Sequence, residues 1–341
     1  MSGAGTVERW RPVEVVARES RPDGPGRREG PHRVTVVVPC FNYGKFVGDA
    51  VESALRQEDA DVRVVVVDDG STDGVSGRKC DRCAKGEDRV RVIHQANAGL
   101  PAARNRGAAG ATSEFLVFLD ADDWLEPGFV SRLAGACRGE GVSHAYSQQR
   151  MHLRTGTSVW RVPEWDAELL LVTNLHPVTA LVRRECFEAV GGFDESMRGG
   201  YEDWDFWLRI AERGWRGERV EEPLFVYRRH STETMIRSAV ANHEMLYRGI
   251  VAKHRAMFDR HADGVLARMN LMLRREDMNW LDESGVPIRL LALEEQRERY
   301  EAMRAVRAHR AVHRVVDALP GPLGAGARAA LAGIKRMLPA R

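Results

Sequence analysis

The segment FLVFLDADDWLEP, Phe115 to Pro127, sets Asp120, Asp122 and Asp123 directly behind five apolar or aromatic residues. That pattern reads as a buried strand releasing carboxylates at its C-terminal end. Carboxylates this close repel one another and are tolerated where a cation neutralises them. With no Cys or His beside them, hard oxygen ligands suit Mg²⁺ or Mn²⁺ rather than zinc. A helix cap explains the same residues, because Asp123 precedes Trp124-Leu125-Glu126-Pro127 and caps with first-turn prolines look like this. The segment alone leaves the two readings open. Two further acidic groups stand out: Asp68 and Asp69 ahead of Gly70-Ser71-Thr72-Asp73, and Glu202, Asp203 and Asp205 in YEDWDFWLRIAERG. The first pair either hydrogen-bonds a base or ribose at a sheet crevice or caps the next helix. The second group at least favours the dipole of the helix it opens.

The elements that must position these groups follow from the pattern. Val34 to Val38 is a β-branched run, expected to stop at Pro39 and open into a loop at Asn42-Tyr43-Gly44. Val47, Val51, Ala54 and Leu55 then fall on one helical face. Val62 to Val67 repeats the strand and ends in Asp68 and Asp69. Val90 to Ile93 repeats it again, before a turn at Asn97 and Gly99 and a helix from about Leu100. That helix carries Arg104 one turn inside, where it either leans toward an anion at the strand ends or is simply solvated. The fourth strand is Phe115 onward. Strands alternating with helices, with polar residues at every carboxyl end, predict a parallel α/β sheet whose crevice lies above those ends.

Composition narrows the class. The chain has 341 residues, 43% of them hydrophobic, enough for a sizeable core. Its 51 basic and 49 acidic residues leave a net charge of +2, which gives no reason to expect a nucleic-acid partner. No apolar run approaches the ~20 residues that cross a bilayer, and no signal-peptide core is evident, so a cytoplasmic protein is expected. Five cysteines fit reduced thiols, and the lone Cys80-x-x-Cys83 lacks the second pair of a zinc site. Residues 1–31, rich in Pro, Gly, Arg and Glu, are expected to be disordered. The catalytic domain is expected over 32–237, with halves at 32–127 and 128–237, and a helical extension over 238–341. Between Met303 and Arg341 eight Arg or Lys face only Asp317. A basic amphipathic end suits an anionic membrane surface at the inner face of the plasma membrane, a neighbouring domain or a partner subunit.

VVVPCFNYGKF, VVVDDGSTDG, NAGLPAARNRGAA, FLDADDWLEP, GGFDE and EDWDFWLR, in this order, resemble the inverting glycosyltransferase family 2. The resemblance covers roughly Val34 to His230 and implies a GT-A fold, an α/β architecture with a Rossmann-like, mainly parallel sheet. It implies that Pro39, Asn42, Tyr43 and Asp69 surround the base of a nucleotide sugar, with Asp68 close by and Arg104 facing the nucleotide or its phosphates. The motif Asp120-Ala121-Asp122 would then serve ribose and a Mn²⁺ or Mg²⁺ ion, Asp122 bridging the metal to the diphosphate, with Asp123 beside them. It implies Asp203 as the general base, Glu202 or Asp205 substituting if the register differs. Inversion by direct displacement needs one base, and burial among aromatic residues would raise its proton affinity. On that helix Asp203, Phe206, Trp207 and Ile210 are expected to face inward. Pro223 to His230 reads as a final strand running into basic residues, and the resemblance implies a loop there that puts Arg229 on phosphate and His230 on phosphate or metal. The acceptor would be a glycan, a lipid-linked saccharide or a small molecule, and UDP-, dTDP- and GDP-linked donors remain undistinguished, as does oligomeric state. A sugar nucleotidyltransferase would need a Gly-rich basic loop where CFNYGKF stands; a non-catalytic scaffold would be expected to have lost Asp120, Asp122 or Asp203.

Overall fold

The computed structural model describes residues 30–153, 156–229, 239 and 241–278. Nine strands form one sheet in the order β3-β2-β1-β4-β8-β6-β9-β5, with β7 paired to β6. Strands β1 (His32–Cys40), β2 (Ala60–Asp68), β3 (Val90–His94) and β4 (Phe115–Phe118) are parallel, as the strand-helix alternation predicts. Helices α1 (Val47–Leu55) and α2 (Ser76–Ala84) pack with one core cluster and α3 (Leu100–Ala108) with the other. The chain runs outward from β1 through β2 to β3 and then returns to β1's other side as β4. The sheet therefore has a switch point between the carboxyl ends of β1 and β4, where open α/β sheets bind ligands.

Pro39 does not end the first strand. Its neighbour two residues back, Val37, turns its carbonyl toward the β4 side, accepting from Leu119 N at 3.0 Å. Pro39 shares that side of β1, where β4 has already ended at Phe118, so its missing N–H breaks no ladder bond. Gly107 lets α3 lie close on the sheet: a Cβ there would sit 2.3 Å from Val37 Cγ1.

Beyond β4 the sheet becomes mixed. β5 (Trp124–Leu125) pairs antiparallel with β9 (Arg216–Arg228), which runs parallel to β6 (Val142–Leu153); β7 is Gly156–Trp160 and β8 is Leu181–Arg183. The helix start that a cap at Asp123 would give is instead a two-residue strand, and α4 (Phe129–Ala136) starts later, from Gly128. The last strand begins at Arg216 rather than Pro223, which sits at a register shift opposite Gln148. A bulge tolerates a residue without an N–H.

Helix α5 (Ala167–Val172), capped by Asp166 on the amides of Glu168 and Leu169, α6 (Arg184–Ala189) and α7 (Glu202–Glu212) cover the sheet face that carries α3. The expected single inward face of α7 is corrected: Trp204, Asp205, Phe206, Trp207, Leu208, Ile210 and Ala211 are all buried. Burial on every side follows because α8 (His243–Lys253), α9 (Arg255–Arg260) and the start of α10 (Ala262–Met278) add a further layer. Ile250, Met257 and Val265 enter the same core cluster as Trp204 and Trp207. Packing therefore does not stop at residue 237; the compact unit reaches Arg268, and of the following unit only residues 269–278 are described. No described helix is long and apolar enough to cross a membrane. The N-terminal segment up to residue 29, His230 and the basic stretch from Met303 lie outside the described residues.

Candidate active site

The loops after β1 and β2 are knitted to each other. Asn42, held at φ 60°, accepts from Thr72 N at 2.8 Å and Asp73 N at 3.1 Å, and its own amide donates to Ser71 Oγ at 3.0 Å. Asp73 caps α2 through Ser76 N, and Ser76 Oγ in turn accepts from Gly44 N at 2.7 Å. Asp69 is buried and both of its oxygens are taken: Oδ1 accepts from Gln95 Nε2 and Ala98 N, Oδ2 from Gly99 N at 2.9 Å. Asp68 accepts from Ser71 N and contacts His94 Nδ1 at 2.9 Å. Burial alone would raise the Asp68 pKa, but these bonds outweigh it and hold the group below the usual carboxylate range. The acidic pair thus braces three loops around the crevice, with Pro39 buried and Tyr43 half-buried beside it.

Across the switch point, Asp120 and Asp122 are half-exposed and Asp123 is buried. Asp123 Oδ1 accepts the backbone amide of Arg228 at 2.8 Å, and Arg228 Nε donates to the carbonyl of Asp122 at 2.8 Å. Arg228 lies 4.8 Å from the ring centres of both Phe46 and Trp124, and its Nη2 reaches Asp49. This arginine, which the sequence does not single out, clamps the acidic turn from the last strand. Burial first, then the charges of Asp122 and Asp120, pushes the Asp123 carboxyl well above its usual range. A cation would relieve that crowding, and the oxygen donors of Asp120 and Asp122 fit a hard divalent ion. Among the described residues no three His, Cys, Asp or Glu side chains surround one point, and His230 lies outside those residues.

Arg104 is not solvated. Only 2% exposed, it donates through Nη2 to Asp120 Oδ1 at 2.9 Å and through Nη1 to Glu202 Oε1 at 2.7 Å. Its Nε has no partner. One buried guanidinium therefore joins the acidic turn to the start of α7.

Tyr201 enters α7 in the left-handed region at φ 66°, a costly conformation for an aromatic residue, with its hydroxyl 2.6 Å from His243 Nδ1. Glu202 and Asp203 follow. Asp203 Oδ1 accepts from Trp204 N at 2.7 Å and Oδ2 from Asn174 Nδ2 at 3.0 Å. Burial, then the neighbouring charge of Glu202, raises the Asp203 carboxyl to about 7, against the opposing pull of Arg104. Asp205, the expected substitute, points elsewhere: fully buried, it pairs with Arg209, Lys253 at 2.7 Å and His254 at 2.9 Å. It is a structural tie to α8. Arg229 is exposed at the end of β9.

A family profile described as Glycosyl transferase family 2 matches residues 35–204, and one described as Glycosyltransferase like family 2 matches residues 170–244. The chain belongs to glycosyltransferase family 2. Among family relatives, the uncharacterized glycosyltransferase EpsJ of Bacillus subtilis is 31% identical over 62% of this chain and 66% of its own length. The pre-mycofactocin glycosyltransferase of Mycobacterium tuberculosis is 32% identical over 64% of this chain and 46% of its own. Chondroitin synthase of Escherichia coli is 29% identical over 53% of this chain and 27% of its own. In each case the chain spans only part of the relative. S. aureus TarS 1-349 superposes with a TM-score of 0.51 at 19% identity, covering 74% of this chain and 75% of that one, which shows the shared GT-A fold.

Proposed function

We propose that this family 2 domain transfers a sugar from a nucleoside-diphosphate sugar to an acceptor hydroxyl, inverting the anomeric carbon, with Asp203 as general base. The observation that carries the reading is the Asp203 carboxyl, half-buried at the mouth of α7 with its proton affinity raised to about 7. A base poised near the working pH can take a hydroxyl proton and release it again. Arg104, bridging Asp120 and Glu202, supports a continuous site in which donor and base face each other. In the step itself the acceptor O–H bond breaks and its proton passes to Asp203. The acceptor oxygen forms the new bond to the anomeric carbon, and the old glycosidic oxygen leaves with its electron pair on the nucleoside diphosphate. A Mn²⁺ or Mg²⁺ ion held by Asp120 and Asp122 would neutralise the charge that develops on that leaving group. The loops braced by Asn42, Asp68 and Asp69, with Pro39 and Tyr43, would hold the nucleotide; Arg229 would contact phosphate. Relatives named chondroitin synthase and pre-mycofactocin glycosyltransferase support a glycan or small-molecule acceptor, in surface-polysaccharide, lipid-linked glycan or glycoconjugate synthesis.

The test is nucleoside-diphosphate release from UDP-, dTDP- and GDP-sugars, beginning with UDP-GlcNAc, the ligand of a TarS 1-349 structure. Release is expected with Mn²⁺ or Mg²⁺, lost with chelator and in Asp122→Ala, and lost in Asp203→Asn. An Asp203→Asn protein that keeps wild-type release would remove Asp203 from the role of base.

A further inference from the structure

Asn174 lies between α5 and β8, on a segment pinned from both sides. Thr173 N donates to Leu169 O, the buried His176 ring sits 3.1 Å from His144 Nε2, and Thr179 Oγ1 donates to the carbonyl of Phe118 at 3.0 Å. Trp204 Nε1 donates to Leu170 O at 2.6 Å, fixing α7 to the same segment. From this mount Asn174 reaches Asp203 Oδ2, while its own buried Oδ1 has no hydrogen-bond partner. A buried amide left half-satisfied is a poor choice for stability alone. Its remaining use is the donor it aims at Asp203.

The groups facing the Asp203 carboxylate divide by sign. Glu202 opposes its ionisation, as does burial; Arg104, Trp204 N and Asn174 Nδ2 favour it. Among the described residues the Tyr201 phenol is a further titratable neighbour, itself held above its usual range by burial and then by Asp203. Trp204 N belongs to the helix backbone and Arg104 is shared with Asp120 and Glu202. Among the described residues Asn174 is a side chain whose hydrogen bond is given to this carboxylate alone, and it fixes the orientation of the group. With Oδ1 accepting from the backbone amide and Oδ2 from Asn174, the carboxylate is held at both oxygens, and each keeps a lone pair for an incoming proton.

We propose that Asn174 is a positioning residue that keeps Asp203 ionised and holds its carboxylate in place for the acceptor hydroxyl. The proposal rests on Asp203 being the base. Loss of the donor raises the proton affinity of Asp203, by about one pH unit, since a bond to the charged form favours that form. Two readouts separate the proposal from the reading it rests on. The first needs no substrate: the difference in thermal unfolding midpoint between proteins with Asp and with Asn at position 203, followed from pH 5 to 9, reports Asp203's own titration. With Asn174 present that difference grows with pH and levels off near 7; in Asn174→Ala it is expected to level off about one pH unit higher, and higher still in Asn174→Asp, where a second acid replaces the donor. Asn174→Ser, which keeps a donor, guards against a folding defect and is expected between wild type and Asn174→Ala. The second readout is the acid limb of kcat/KM for nucleoside-diphosphate release from UDP-GlcNAc, or whichever donor of the panel is turned over, which is expected to move with the first while the donor KM stays the same. An unmoved titration in both Asn174→Ala and Asn174→Asp overturns the proposal. A moved titration with an unmoved acid limb overturns Asp203 as the base, and with it Asn174's place in the reaction.

Discussion

At the scale of single residues, charge is decided by neighbours. Asp203 has its proton affinity raised by burial and by Glu202, whereas Asp205, two positions on, is held ionised against burial by His254, Lys253 and Arg209. The sign for Asp203 is that of a group whose folded pKa lies above its unfolded value. The stability linked to its protonation is complete below the unfolded value of 3.8 and is lost as pH rises through about 7. Asp203→Asn does not titrate, so it is expected to unfold at a higher temperature than wild type at pH 8.5, the gap shrinking as pH falls through 7, even though its transferase activity is gone. Wild-type release, limited by the ionised base, is expected to climb over the same interval. Arg104 gives the opposite case. Arg104→Gln strands Glu202 in a buried position and is expected to cost ~3–5 kcal/mol in denaturant unfolding; a cost below ~1 kcal/mol would mean that water reaches the pair.

At the scale of elements, close approach and buried ties set the expectations. Gly107→Ala would put a methyl group 2.3 Å from Val37 Cγ1, and the obstacle is a strand residue packed on both sides. A shift of α3 off β1 is expected, with a loss of about 1–3 kcal/mol read from the unfolding midpoint. His254, 1% exposed between Asp205 and Glu212, joins α7 to the helices that follow. Burial alone would lower its pKa; the two carboxylates outweigh burial and raise it above 6.5. Its contribution is therefore full below the unfolded value and fades as pH rises through the folded one. His254→Gln is expected to lower thermal stability more at pH 6 than at pH 9. An equal loss at both would show that the ring acts by packing alone.

At the scale of the whole molecule, the helices after residue 240 complete the core rather than extend it, because Ile250, Met257 and Val265 close over Trp204 and Trp207. A chain ending at 237 is expected to bind a hydrophobic dye and unfold without cooperativity, while one ending at 268 keeps a sharp transition. Much of the fold was legible in the sequence because its parallel half is written locally: Val36 to Val38, Val64 to Val67 and Phe115 to Leu119 are apolar runs that suit strands with both faces covered. The acidic motifs were legible for the same reason, each sitting at the end of such a run. What local pattern could not supply was the partner of each charge. Arg104 lies 98 positions from Glu202, and Arg228 lies 106 from Asp122. Asn174 comes to Asp203 from a segment with no motif of its own. The sequence by itself determined the four parallel strands, the order of the motifs and the family, since these depend on neighbours a few residues apart. Only the tertiary structure decided which carboxylates brace loops, which one carries a raised proton affinity and where the core ends, because those properties arise from burial and from charges brought together across the chain.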